Sequence, residues 1–434
     1  MYSLIGAITL FLILVTFHEY GHYSVARYFK IKILKFSIGF GPDLLNWKNK
    51  DNIKFSLSAI PFGGYVAFHD PADTENYNKL SSNEKNYVLA NRPALERSLV
   101  VLAGPIYNFI LAFFVFTIVG LFIPKQSDTV SAQIAELNEQ NFYEVVSVNN
   151  KEIYTVQGLE VGLLDLTGYS GNVEIGLFDY TNQKETTLNR EVKNLKFAEG
   201  QSPSSYFGIV PYADFEPRIN FIESDSIAEK IGFKSGDVIK TIFQEDIKSM
   251  YQATSLLNTV GRQIPIAVTR GEKDVQLVLP SKQSGETYGL GLGPEGNSLL
   301  TSIYFGYSQT IFWIENTFKF LFKTLNGTMG FENLSGPVGI AKVAGDSLVS
   351  GLIPFLLLLG ILSISLGAFN LLPLPMLDGG QFLFILVEKL KGSPISLKLK
   401  ASLMNLSFIL IITLFVFVMI NDIARIIWKE YLEQ

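Results

Sequence analysis

The sequence predicts a polytopic α-helical membrane protein with four transmembrane helices and a sizeable extramembrane part that mixes strands with short helices. Three observations lead there. Of 434 residues, 48% are hydrophobic and only 17% charged, with a mean hydropathy of +0.27. That is too apolar for an ordinary soluble enzyme and too charged for a chain lying wholly in lipid. Four stretches are apolar for long enough to cross a hydrocarbon core of ~30 Å. Between the second and third of them, from Lys125 to Leu300, strand-like runs alternate with turn signals. The net charge of −5 is small, and no basic helix or arm suggests nucleic acid. Without cysteine there is no disulfide framework, thiolate metal site or cysteine nucleophile.

The first span occupies residues 1–29. It opens "MYSLIG" with no basic flank, so an uncleaved helix is expected rather than a signal peptide. Residues 30–97 form a loop in which "FSLSAIPFGGYVAF" (Phe55–Phe68) alternates as strands do, with Gly63-Gly64 making a tight turn. The second span covers 98–124, the third 348–390 and the fourth 399–421, followed by a C-terminal tail, 422–434. The loop between the first two spans is rich in lysine and arginine, and the turn before the last carries Lys389, Lys391, Lys398 and Lys400. Both should be cytoplasmic, with the long middle region outside.

That middle region reads as two α+β domains. "SDSIAEKIGFKSGDVIKTI" (Ser224–Ile242) suggests a short helix, a glycine turn and a strand, the core pattern of a PDZ domain. "IPIAVTR" and "KDVQLVLP" suggest a hairpin around Gly271 and Glu272. The stretch Asn141–Phe178 resembles a second, degenerate copy without the glycine-aspartate turn. Two tandem PDZ-like α+β domains are therefore expected, at 125–205 and 206–297. Residues 298–347 supply a connector and a helix with apolar residues at helical spacing, either interfacial and amphipathic or packed on the outer domain.

The chemistry concentrates in "HEYGH". On a helix, His18 and His22 share a face and can offer nitrogens to one metal ion. Glu19 projects roughly 100° around the helix, beside that metal, where a general base stands to deprotonate water. A catalytic zinc needs a third protein ligand. His69, in the polar loop "FHDPAD", reads as a solvent-facing residue. Asp378 in "FNLLPLPMLDGGQ" fits better. An unbroken helix from Gly351 would carry it about 40 Å along, past a ~30 Å core. Pro373 and Pro375 forbid that helix, and the chain must unwind where it lines protein or a wet cavity. Taken alone, Asp378 reads as the cap of a cytoplasmic turn; beside a two-histidine site that lacks a ligand, it is the candidate third. Sixteen helical steps from Tyr2 put His18 about 24 Å into the membrane, within the cytoplasmic leaflet.

"HEYGH", "GFGP" (Gly39–Pro42), "PFGGYV" (Pro61–Val66), "AGPIYN" (Ala103–Asn108), "LSGPVGIAKVAG" (Leu334–Gly345) and "NLLPLPMLDGG" (Asn370–Gly380) occur in the order found in intramembrane site-2 proteases. With paired PDZ-like modules, the chain resembles their bacterial, RseP-type branch. The resemblance implies a Zn2+ ion held by His18, His22 and Asp378, with Glu19 as base. It implies that the cytoplasmic β-segment is membrane-reentrant and adds an unwound substrate as a strand, through Phe62, Gly63, Gly64 and Tyr65. It also implies that Asn370, with Pro373 and Pro375, contacts substrate backbone. Expected partners are membrane lipid and transmembrane substrates such as anti-sigma factors or signal-peptide remnants, already trimmed once because the outer modules exclude bulky domains. The implied location is the bacterial inner membrane, with the modules periplasmic. Two other classes stay open. A divalent-metal transporter would show repeated halves or further ligands along a path. A non-catalytic PDZ-bearing scaffold would not need Glu19.

Overall fold

A computed structural model describes residues 2–71, 73–137, 141–197, 201–283, 285–327, 330 and 334–432. The chain divides into two compact units, one built from 1–120 with 302–434 and the other from 121–301.

The first unit begins with α1 (Tyr2–Tyr28), which buries Ala7, Leu10, Leu14 and Val15 before reaching the histidines. Two bent strands follow, β1 (Ile33–Lys48) and β2 (Lys54–Phe68). Residues 33–38 take partners from 64–68 on one side and from 54–57 on the other, while 43–48 pair back onto 54–58. The sheet therefore runs 64–68, 33–38, 54–58, 43–48, with 64–68 at an edge. Gly39, at φ 88°, makes the bend in β1, a conformation other residues rarely take. Inside the sheet Ser56 Oγ donates to Ser37 Oγ at 2.9 Å, and Asp43 pairs with Lys35 and Lys54 at 2.8 and 2.7 Å. The short helices α2 (Thr74–Tyr77) and α3 (Ser82–Lys85) lead to α4 (Ala94–Gly120), the second apolar helix, which packs against α1.

The second unit holds two sheets. The first comprises β3 (Val130–Ile134), β4 (Tyr143–Val148), β5 (Lys151–Glu152), β6 (Gly171–Asp179), β7 (Lys184–Val192) and β8 (Ile209–Ala213), with helices α5 (Val156–Leu164) and α6 (Pro203–Tyr206). The second comprises β9 (Arg218–Ile222), β10 (Val238–Ile242), β11 (Glu245–Asp246), β12 (Ile264–Arg270), β13 (Lys273–Leu279) and β14 (Leu290–Gly293), with α7 (Ile227–Ile231) and α8 (Met250–Leu257). Their strand orders are β7-β6-β4-β3-β8, with β5 on β4, and β13-β12-β10-β9-β14, with β11 on β10. The two diagrams are the same, strand for strand. Each covers its own apolar core, centred on Leu159, Ile175 and Phe207 in one and on Ile239, Ile266 and Val268 in the other. The hairpin expected at Gly271-Glu272 forms there, with Arg270 opposite Lys273.

One boundary moves. The division expected between 205 and 206 falls instead after residue 213, because β8 returns to pair along the whole of β3 and buries Phe207 and Ile209 in the first core. That long-range pairing leaves no local signal. Asp214 follows at once and joins the two modules. Its carboxylate accepts from Ser131 of β3, from Ser249, which caps α8, and from the Met250 N–H at 3.0 Å.

The glycine-aspartate turn has a structural task. Gly236 sits at φ 93°, and Asp237 accepts from the Lys234 N–H at 2.9 Å and from Arg270 Nε and Nη2 at 2.7 and 2.8 Å. This bidentate pair ties the α7–β10 turn to β12.

The chain then returns to the first unit through α9 (Leu299–Leu325), α10 (Pro337–Ser350), α11 (Leu352–Asn370), α12 (Asp378–Lys391) and α13 (Leu397–Leu432). The span expected over 348–390 is thus two helices parted at the prolines, and the expected tail 422–434 begins as a continuation of α13. Helices α1, α4, α11 and α13 are long and apolar enough to cross a membrane, which makes this a multi-pass membrane protein. Asp422 of α13, 2% exposed, accepts from the N–H groups of Gly336 and Gly339 at 3.1 and 2.7 Å, so it caps α10 from another helix. A Cβ on Gly336 would stand 2.7 Å from that carboxylate.

Two outcomes are expected. Asp422→Ala leaves two backbone donors without a partner and should cost about 1–3 kcal/mol each where they stay dry, read as a lower denaturation midpoint of the detergent-solubilised chain. For Asp237, burial raises the carboxyl, but the Arg270 guanidinium and the Lys234 N–H outweigh it and hold the group below its usual range. A carboxyl depressed by folding stabilises above its unfolded value of about 4, and the contribution is lost as pH falls through the folded value. Stability of the 121–301 unit should therefore fall on the acid side of about pH 4, and Asp237→Asn should flatten that part of a stability–pH curve.

Candidate metal centre

His18 and His22 lie one turn apart on α1, with their Nε2 atoms 3.3 Å from each other. Asp378, the first residue of α12, brings Oδ2 to 3.3 Å from His18 Nε2 and 3.6 Å from His22 Nε2. Among the described residues this is the group of three ligand atoms able to hold one ion.

The path to Asp378 explains its neighbours. After Asn370 the chain turns through Pro373 and Pro375, closed by the Leu374 N–H donating to the Leu372 carbonyl and the Leu377 N–H to the Leu374 carbonyl, both at 2.8 Å. The start of α12 then folds back on that turn. A Cβ on Gly379 would lie 2.2 Å from the Leu371 oxygen, and one on Gly380 2.1 Å from the Leu374 oxygen. Only glycine fits at either place, so "DGG" is what lets the aspartate face α1. Arg97, in the first turn of α4, holds α12 further along through Glu388 at 2.5 Å.

The donor set fits zinc. His22 Nδ1 is 2.8 Å from the Val100 carbonyl oxygen. A carbonyl only accepts, so the proton sits on Nδ1, and Nε2 turns a lone pair inward. Asp378 Oδ2 is buried and makes no hydrogen bond. Lone pairs facing one another in a dry, apolar surrounding are unfavourable unless a cation lies among them. The ligand-to-ligand spacings match the edge of roughly 3.3 Å that a tetrahedron with bonds of ~2.0–2.1 Å requires.

Glu19 is 7% exposed and stands beside the three, near enough to couple electrostatically with each. The Val66 backbone of the sheet edge lies close to its carboxylate. Gly64 packs at the same place, where a Cβ would lie 2.7 Å from Val15 Cγ1 and 3.0 Å from Glu19 Cγ. The edge strand 64–68 therefore lies against the face of α1 that carries Glu19.

The other expected residues distribute as follows. Asn370 is the last residue of α11, at the entry to the turn formed around Pro373 and Pro375. Gly63 and Tyr65 are on β2 with Gly64, and the Tyr65 ring stacks on Phe40 at 6.3 Å. The side chain of Phe62 lies outside the described residues. His69 is in the loop after β2, apart from the clustered donors.

One contributor escaped the sequence reading. Val100, Gly104 and Asn108 recur every four residues on α4 and form the floor under both imidazoles. A Cβ on Gly104 would stand 2.4 Å from His22 Nε2 and 2.7 Å from His18 Cε1. Asn108, fully buried, faces His18 Nδ1 at 3.1 Å. The signal was an asparagine in the middle of an apolar span, an expensive placement that marks a function by default.

The chain matches Peptidase family M50 over residues 6–414. A regulator of sigma E protease from Haemophilus influenzae is 30% identical over 98% of this chain and 99% of its own length. A protein named protease RseP from Yersinia pestis is 28% identical over the same shares. A Pasteurella multocida protein described as a zinc metalloprotease is 30% identical, again over 98% and 99%. The agreement extends over nearly the whole chain and converges on a site built for one metal ion; the chain belongs to peptidase family M50, the site-2 proteases, and is a zinc-dependent metalloprotease of the membrane.

Proposed function

We propose that His18, His22 and Asp378 hold the zinc, that Glu19 is the general base, and that the enzyme cuts peptide bonds inside transmembrane segments of other membrane proteins. The observation that carries this reading is the meeting of three ligand atoms within 3.6 Å of one another, two from the apolar helix α1 and one from the start of α12.

When bound, zinc supplies Lewis-acid chemistry, polarising a carbonyl and making water acidic enough to be deprotonated near neutral pH. Glu19 takes the proton from the attacking water and passes it to the nitrogen that leaves as the C–N bond breaks. Gly64 packs against the Glu19 side chain and leaves it little room to swing away. A helix in lipid shields its carbonyls in i→i−4 bonds, so the substrate must unwind. The edge 64–68 supports strand addition, which would satisfy the freed backbone groups next to Glu19. Asn370, beside the proline turn, would hydrogen-bond the backbone of the same segment. Phe40, Leu44, Leu45, Trp47 and Ile60 of the sheet are exposed, as suits a surface dipping into lipid.

The two modules with a shared strand diagram are PDZ-like domains on the periplasmic side of a bacterial inner membrane, and they admit substrates whose outer domains have been removed. The name of the Haemophilus relative supports an anti-sigma factor as a substrate class, and signal-peptide remnants are the second.

Incubation with a single-span substrate tests the chemistry. Wild type should cleave and a chelator should stop it, while Glu19→Gln should keep its zinc and lose about 10²–10⁴-fold in rate. Equal product from all three overturns the reading. Gly104→Ala tests the site's geometry. In an ordinary helix the change would stabilise by about 1 kcal/mol, whereas here it should weaken zinc binding about 10–100-fold, measured by chelator competition.

A further inference from the structure

Resting on that ligand assignment, we propose that Asn108 is a positioning residue for the metal site, whose side-chain oxygen accepts from His18 Nδ1–H and so turns the His18 Nε2 lone pair toward His22 and Asp378.

The two histidines do not have equivalent supports. His22 Nδ1 faces the Val100 carbonyl at 2.8 Å, which admits one tautomer only. The atom opposite His18 Nδ1 belongs to a carboxamide, which can either give or take a hydrogen bond. In the structure the amide nitrogen of Asn108 is the nearer end, at 3.1 Å, and Oδ1 is buried with no partner. An NH2 group only donates. In that orientation Nδ1 must offer its lone pair, so the imidazole proton moves to Nε2, 3.3 Å from both Asp378 Oδ2 and His22 Nε2. A protonated Nε2 can donate to the aspartate, but it has no lone pair for a metal.

The two ends of a carboxamide are nearly the same size, and a half turn about the Cβ–Cγ bond exchanges them. With Oδ1 toward the ring, Nδ1 carries the proton and Nε2 is free to bind. One end of the amide is unpartnered in either orientation, so the imidazole tautomer is what decides between them. A metal ligand's second nitrogen is ordinarily held this way by an oxygen, and loss of the holder costs affinity. The rest of the fold keeps Asn108 in place. Its own carbonyl accepts from Ser363 Oγ of α11 at 2.7 Å, and both residues are fully buried. The outcome is a pair of histidines oriented by one helix, at residues 100 and 108, on either side of the glycine that makes room for them.

The test uses the full-length protein in detergent. Zinc affinity is measured by chelator competition for wild type, Asn108→Leu, Asn108→Asp and His18→Ala. Asn108→Leu keeps the volume but loses the acceptor, and should bind zinc about 10–100-fold more weakly. Asn108→Asp keeps an acceptor and should bind as wild type does. The chain has three histidines, so ring-nitrogen NMR of histidine-labelled, zinc-loaded protein can be assigned by substitution. His18 should carry its proton on Nδ1, protected from exchange in wild type and in Asn108→Asp. Zinc held at wild-type affinity by Asn108→Leu, together with loss in His18→Ala, overturns the role of Asn108 alone. Zinc held equally by His18→Ala overturns the ligand assignment beneath it. Should Asn108→Leu fail to fold, the wild-type spectrum decides: a proton on His18 Nε2 in the zinc-loaded protein overturns the proposal.

Discussion

A buried carboxylate needs a donor or a cation, and four aspartates show how this chain answers that need. Asp237 has the fork of Arg270. Asp214 has two hydroxyls and backbone N–H groups. Asp422 has the first turn of α10. Each is satisfied within the protein, and each ties two elements together. Asp378 alone among the four has an oxygen that is buried without a hydrogen bond, and its neighbours are two imidazole nitrogens. Charged groups in an apolar interior are tolerated only when compensated, and a metal ion held with the two imidazoles would supply that compensation.

Holding three such atoms together sets terms for the surrounding helices. The imidazoles fill the space a side chain at 104 would occupy, so α4 must be bare there. The aspartate must arrive from a helix start, because a continuous third span would carry it past the site. That requires the proline turn, and the turn in turn leaves no room for side chains at 379 and 380. The contact of α1 with α10 obeys the same steric rule away from the metal: a Cβ on Gly6 would lie 2.7 Å from the Ala344 oxygen. Several glycines that look like helix weaknesses in the sequence are places where another element comes within van der Waals reach.

Much of this was legible in the sequence because helical spacing is a local property. His18, Glu19 and His22 follow from the 3.6-residue period, and Asp378 follows from the inability of Pro373 and Pro375 to continue a helix. The duplicated module was legible from its second copy, where the glycine-aspartate turn is overt. Elsewhere in the two copies, the β4–β5 turn of the first is made by Asn149 and Asn150 at positive φ, where the matching β10–β11 turn of the second uses Phe243 and Gln244. The backbone course is kept while the residues change, so similarity of pattern fades before similarity of fold. What no local pattern announces is pairing at long range. β8 belongs to the first sheet although it follows the apparent boundary, Asp422 meets glycines 86 and 83 residues away, and Asn108 meets a histidine 90 residues earlier.

With Glu19 as the proposed base, a sheet edge beside it would answer a difficulty specific to cutting helices in lipid. A helical peptide carbonyl is hydrogen-bonded and sterically shielded, and unwinding it in hydrocarbon strands N–H and C=O groups at several kcal/mol each. Water could satisfy them, but free water at the site would also let the substrate leave as a solvated coil. A strand edge satisfies the same groups with fixed partners and sets the register of the chain it receives. Residues 64–68 stand against α1 where Gly64 permits contact with Glu19, so a peptide added there would lie extended past the base. The same reasoning accounts for the polar interior of this small sheet. Ser37, Ser56, Ser58 and the Lys35–Asp43–Lys54 cluster satisfy one another within it, which leaves the edge strand as the place for an incoming backbone to find partners.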